Sequence, residues 1–191
     1  MECVSLYFDV GSPYAYLAVA RAEGVFGRPP DLEPVLLGAI FRLRGSGSWS
    51  QTAGRANGIA EVERRASAYG LPAVVWPEGW PLDGLRTMRA ATWAKQKNMI
   101  DAFAKAVFDH QFVKGRDLSG VDALAAVAEE VGLSGDELRA AVDSPAVKDQ
   151  LKTTTEYAWE LGVRGVPTVR VGQRLFYGDD QLEVAAGHLR R

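Results

Sequence analysis

A strand that runs into a Gly-Ser-Pro turn and straight on into a helix constrains this chain more than any other feature. Val4, Leu6 and Phe8 fall on alternate positions, which predicts a strand over Val4 to Asp9 with one apolar face. The run Phe8-Asp9-Val10-Gly11-Ser12-Pro13-Tyr14-Ala15-Tyr16-Leu17 then changes period. Pro13 suits the first turn of a helix, where its missing N–H leaves nothing unpaired. Tyr14, Leu17, Ala18, Ala20 and Val25 give that helix an apolar side. Pro29-Pro30-Asp31 predicts a turn and Leu32 to Leu37 a second strand. Strand, helix and strand joined by short connections predict a βαβ unit with a parallel pair.

Beyond it, Arg42 to Asn57 is rich in Gly, Ser and polar residues and reads as a long loop, the kind that forms binding loops or lids. The middle of the chain reads as helical. Helices are predicted over Ile59 to Tyr69, Leu85 to Lys97, Ile100 to Val113 and Val121 to Val131, the last capped by Ser119 and stopped by Gly132. Ser134 with Glu137 predicts a capping box, and Ser144-Pro145 opens a long helix to Leu161. Strand patterns return at Pro167 to Val171 and Arg174 to Tyr177, joined by the hairpin signal Gly172-Gln173. Asp179 or Asp180 is expected to cap a final helix ending near Arg190. The expected architecture is a discontinuous α/β domain, residues 1–55 and 156–191, interrupted by a helical insertion over residues 56–155.

Composition narrows the function classes. The 191 residues carry a net charge of −2, which argues against a nucleic-acid-binding face. A single cysteine, Cys3, excludes an internal disulfide and a cysteine-rich metal site, and no metal is expected. Cys3 itself is expected to be a small buried hydrophobe of the first strand. Met1-Glu2 leads directly into strand without a basic and then apolar leader, and no apolar run approaches bilayer length. The expectation is a cytoplasmic protein with no membrane contact.

Four motifs in order resemble one family. Phe8-Asp9 with Ser12-Pro13-Tyr14-Ala15-Tyr16-Leu17-Ala18 resembles the opening of 2-hydroxychromene-2-carboxylate isomerases and kappa-class glutathione transferases. Ser144-Pro145 to Lys152, followed by Thr154-Thr155-Glu156, resembles the long helix of the kappa class. Gly165-Val166-Pro167-Thr168 resembles the cis-proline loop, and Phe176-Tyr177-Gly178-Asp179-Asp180-Gln181-Leu182 the glutathione-binding end. The resemblance implies a thioredoxin-like fold with a DsbA-like helical insertion. It also implies glutathione or another small thiol as cofactor, an aromatic-derived acid as substrate, and a homodimer. Ser12 and Ala15 stand where dithiol relatives carry cysteines, so the sulfur must come from a bound molecule.

Each candidate residue has a role in that resemblance and an ordinary reading beside it. Ser12 is implied to stabilise a thiolate, whose free thiol sits near pKa ~8.5; it also fits a helix cap. Val166 and Pro167 are implied to pair with the cofactor backbone through a cis bond. Asp179 and Asp180 are implied to bind the γ-glutamyl end of the cofactor, Asp180 through the cofactor's ammonium, while Asp179 replaces the family's Ser or Asn and Gln181 its Arg. Both aspartates also suit a helix start. Arg89 is a candidate for a substrate carboxylate, and Trp80 and Tyr14 for the substrate wall. Pro81 to Arg89 resembles the family's cleft segment. A serine-hydrolase reading of Ser12 lacks the second Gly of the nucleophile elbow, and no acid is evident for His110 or His188. The functions implied are a thiol-dependent isomerase, a conjugating glutathione transferase, or a thiol-binding protein without catalysis.

Overall fold

The computed structural model describes residues 3–189. Strands β1 (Val4–Phe8) and β2 (Asp31–Pro34) flank helix α1 (Pro13–Phe26), and they pair in parallel with Leu6 opposite Leu32. Then come α2 (Leu37–Arg44), α3 (Arg55–Ala68), α4 (Leu85–Gln96), α5 (Ile100–Phe108), α6 (Val121–Glu130), α7 (Gly135–Ala141) and α8 (Pro145–Glu160). The antiparallel hairpin β3 (Thr168–Val171) and β4 (Arg174–Tyr177) follows, and α9 (Leu182–Leu189) closes the described chain. The sheet order is β2-β1-β3-β4, with β1 antiparallel to β3. The expected helix end near Arg190 lies outside the described residues.

Both faces of β1 are covered. Val4, Leu6 and Phe8 join α1, α9 and the insertion helices in one core. Tyr7 points the other way, into a smaller cluster with Val35, Ile40, Ala158, Val163 and Val166 beneath α2 and α8. Ring contacts bind the two halves: Phe8 of β1 and Tyr16 of α1 lie 6.0 and 6.1 Å, centroid to centroid, from Phe108 of α5.

Several local expectations are corrected. The second strand stops at Pro34 rather than Leu37, because Leu37 already opens α2. A proline is tolerated there because β2 is an edge strand. The expected Arg42–Asn57 loop is mostly structured: α2 runs to Arg44, Trp49–Gln51 make a 3₁₀ turn, and α3 begins at Arg55. The Ile100–Val113 helix turns π-helical over Asp109–Val113. Gly120, not Ser119, is the N-cap of α6. Ser134 and Ser144 do cap α7 and α8, accepting from the N–H groups of Glu137 and Val147 at 3.2 and 3.3 Å. Cys3 is exposed, one residue before β1 begins.

Candidate functional site

The β1–α1 turn is clamped from several sides. Asp9 is buried, and its two carboxyl oxygens accept from the N–H groups of Gly11 and Leu37, both at 2.8 Å. It thereby ties the turn to the first residue of α2. Burial pushes its carboxyl up to about 6, and the two backbone donors oppose that shift. Val10 is held by the insertion: its N–H donates to the Met88 sulfur at 3.3 Å, and its carbonyl accepts from Gln111 Nε2 at 2.8 Å. The π-helical turn of the chain carries Gln111. Gly84 permits this closeness, since a Cβ there would sit 3.3 Å from Val10 Cγ2.

Ser12 is the N-cap of α1, and its Oγ accepts from the Ala15 N–H at 3.2 Å. Its own proton points to the Val166 carbonyl, 3.5 Å away. That distance is at the outer limit of a hydrogen bond, so the proton is weakly held. The Val166–Pro167 peptide bond is cis, and Trp80–Pro81 is a second cis bond. Among the described residues the Val166 N–H has no partner, so this backbone presents an open edge next to Ser12.

Ser12, Tyr14, Trp49, Trp80, Val166 and Tyr177 line one cavity of about 210 Å³ together with Arg44. Ser12, Val166, Tyr14 and Trp80, separated in sequence, thus meet here. Trp49 lies 5.5 Å from Trp80, and Trp76 lies 4.6 Å from Trp80, ring centroid to centroid. Trp80 is buried and its indole N–H finds no acceptor among the described residues. Trp49 packs over the backbone of Gly58; a Cβ on Gly58 would meet its ring at 2.2 Å. A larger cavity of about 500 Å³ shares Gly11, Leu37, Phe41, Gly47 and Ser48 with the first and reaches Asp9, Arg42 and Asp83.

The other candidates lie outside these two cavities. Asp179 is 1% exposed, and its carboxyl accepts from Arg65 Nη1 at 2.8 Å and the Tyr69 hydroxyl at 2.9 Å. Both oxygens are taken, so this carboxyl is a structural anchor rather than a free ligand for an ammonium. Asp180 keeps its side chain half exposed, 3.8 Å from the same Arg65 nitrogen. Arg65 also lies 5.4 Å over the Tyr14 ring. It therefore neutralises the buried Asp179 carboxylate and links it to Tyr14 of α1. Arg89 faces Asp143 at 3.5 Å and lines neither cavity. His110 does have an acid, Glu130 at 2.8 Å, but that pair lines neither cavity and is not assembled with Ser12. Among the described residues no group of three or more His, Cys, Asp or Glu side chains is placed to hold a metal, and no helix is long and apolar enough to cross a membrane.

Sequence reasoning passed over four contributors: Asp9, Arg42, Arg44 and Arg65. Asp9 stands inside the opening motif, three residues before Ser12, and that position was its only signal. The three arginines depend on tertiary placement.

Comparison with known proteins extends this picture. The DSBA-like thioredoxin domain profile matches residues 3–190. The chain is 28% identical over 196 residues to 2-hydroxychromene-2-carboxylate isomerase of Sphingobium xenophagum, covering 98% of each. It is 22% identical over 201 residues to human glutathione S-transferase kappa 1, covering 96% of this chain and 88% of the relative. A solved 2-hydroxychromene-2-carboxylate isomerase structure superposes with a TM-score of 0.84 at 24% identity, covering 99% of this chain and 96% of that one.

Proposed function

The chain belongs to the DSBA-like thioredoxin domain family, and from that premise we propose that it is a thiol-dependent isomerase acting on an unsaturated, aromatic-derived acid. The observation that carries the reading is the meeting of the Ser12 hydroxyl, the α1 N-terminus and the open Val166 backbone in one cavity. The residues there fit a small thiol such as glutathione. Val166 offers an N–H and a nearly free carbonyl for strand-like pairing; Asp180, outside that cavity and 3.8 Å from Arg65, keeps a half-exposed carboxylate that a ligand extending beyond the cavity would meet with its ammonium. Bound there, the thiol would supply a nucleophilic sulfur that adds to the substrate and leaves again.

Ser12 donates its hydroxyl proton to the sulfur in place of the Val166 carbonyl, which favours the thiolate over the thiol. The positive end of α1 acts in the same sense. Tyr14, Trp49 and Trp80 wall the sulfur from water, which strengthens both effects. Met88 and Gln111 line neither cavity, and Asp9 reaches the larger one with both carboxyl oxygens already taken by backbone donors; all three hold the turn that presents Ser12. We extend the reading to a cytoplasmic homodimer with the insertion over residues 56–155.

The test is calorimetric titration of wild type and Ser12→Ala with glutathione, with thiolate absorbance followed against pH. Binding by both, with a lowered thiol pKa in wild type alone, supports the activating site; turnover of an aromatic-derived unsaturated acid without thiol consumption then identifies an isomerase. Consumption of one thiol per acceptor would instead make it a conjugating transferase. No binding at millimolar glutathione would refute glutathione as cofactor.

A further inference from the structure

We propose that the larger cavity is the acceptor chamber of this site and that Arg42 is its specificity-determining residue, receiving the anionic group of the electrophile. The cavity of about 500 Å³ adjoins the Ser12 cavity through five shared wall residues, so a molecule in it reaches the position of the activated sulfur. Its size is ordinary for a small aromatic ligand. Leu36, Leu37, Phe41, Pro81 and Leu82 supply an apolar lining for a ring.

Its charged lining residues are Asp9, Arg42 and Asp83. The two carboxylates are already engaged by backbone donors. Asp9 accepts from Gly11 and Leu37, and Asp83 accepts from the Leu85 N–H at 3.0 Å. Neither pairs with Arg42. Among the described residues the Arg42 guanidinium has no ion pair and no hydrogen bond. Its neighbour Arg44 contrasts with it: Arg44 is tied down by the Ser46 hydroxyl at 2.8 Å and the Arg164 carbonyl at 3.0 Å. Arg42 is exposed at the rim of this mixed polar and apolar cavity, and a planar guanidinium free of partners there suits bidentate capture of a carboxylate. Arg89, the candidate from sequence, is turned to Asp143 instead.

Arg42 also sits in the last turn of α2, where any cation offsets the helix dipole. That role alone would affect stability, not the choice between charged and neutral ligands. The inference deepens the proposed function, on which it rests for calling the ligand an electrophile. Its test needs no thiol. Cinnamate and the uncharged cinnamamide are titrated calorimetrically into wild type, Arg42→Gln, Arg42→Lys and Arg86→Gln, the last removing an exposed arginine that lines neither cavity. Wild type is expected to prefer cinnamate by about tenfold, the scale of one charge-assisted bidentate contact partly exposed to water. Arg42→Gln should abolish the preference, Arg42→Lys restore part of it, and Arg86→Gln leave it intact. Equal preference in wild type and Arg42→Gln, or no preference or no binding in wild type, overturns the inference. Glutathione is titrated separately: a chain that shows Arg42-dependent cinnamate binding but takes no thiol would refute the thiol reading while leaving the anion site standing.

Discussion

Ser12 serves two masters with one side chain. Its oxygen caps α1 through Ala15, while its proton faces Val166. Ser12→Ala therefore loses a helix cap, which typically costs about 1 kcal/mol, and, on the proposed function, the donor to the sulfur. We expect a modest fall in melting temperature together with a roughly ten- to hundredfold loss of turnover, the scale of one hydrogen bond to a charged group. A variant that turned over like wild type while melting lower would leave Ser12 as a cap alone. Asp9 makes a different prediction. Its carboxyl titrates at about 6 in the fold against 3.8 as the ordinary value, because burial disfavours the charge. Below the lower value both states hold the proton. As pH rises through this window the unfolded chain ionises first, so folding stability falls until the folded group has also ionised. The loss is on the order of 3 kcal/mol. Unfolding free energies of wild type and Asp9→Asn, measured from pH 4 to 7, should diverge in slope over that window, with the wild type falling more steeply; parallel slopes would contradict the burial argument.

At the scale of elements, what was legible from sequence is what is local. The Ser134 and Ser144 caps, the Gly172-Gln173 hairpin and the Pro13 start each depend on residues a few positions apart, and each stands where expected. Helix α2 was not legible. Leu36-Leu37 continued an apolar run, and Gly45-Ser46-Gly47 looked like loop. What starts the helix is remote: Asp9 takes the Leu37 N–H, and the Thr155 hydroxyl of α8 takes the Leu36 N–H at 3.0 Å. Likewise the site's serine and cis-proline loop were readable from motifs, while Arg42, Arg44 and Arg65 needed the packing of α2 and α3. Arg65 shows how much such packing carries. It joins α3 to the turn before α9 through a carboxylate that is 1% exposed. Arg65→Gln strands that charge, and breaking a buried pair from one side typically costs about 3–5 kcal/mol. We expect a pronounced drop in the denaturation midpoint, partly recovered in the double variant with Asp179→Asn; no recovery would show the two side chains to be energetically independent. Gly58→Ala tests the aromatic wall. The added methyl displaces Trp49, overpacking of this kind costs about 1–3 kcal/mol, and a weakened glutathione affinity should accompany a shifted tryptophan emission.

Across the whole molecule, the helical insertion and the sheet share one interior. Phe108 and Phe112 of the insertion stack against each other and pack at a tilt against Tyr16 of α1, and Phe8 of β1 completes the group. The insertion also holds the Ser12 turn itself, through Met88 and Gln111 on Val10. Neither part can loosen without exposing apolar surface of the other, and the interface is a core rather than a polar seam, so unfolding is expected to be cooperative across the boundary. Three of the five tryptophans, Trp76, Trp80 and Trp93, lie in the insertion and Trp49 and Trp159 outside it, so emission weights the insertion more heavily than circular dichroism, which reads every helix. Urea transitions followed by the two signals should coincide. Phe108→Ala, which removes the shared ring, should shift both midpoints together by an amount equivalent to about 3–5 kcal/mol. Separate transitions, or a shift in one signal alone, would mean that the insertion keeps a stability of its own, and then the Ser12 turn would be held by a neighbour able to move independently of it.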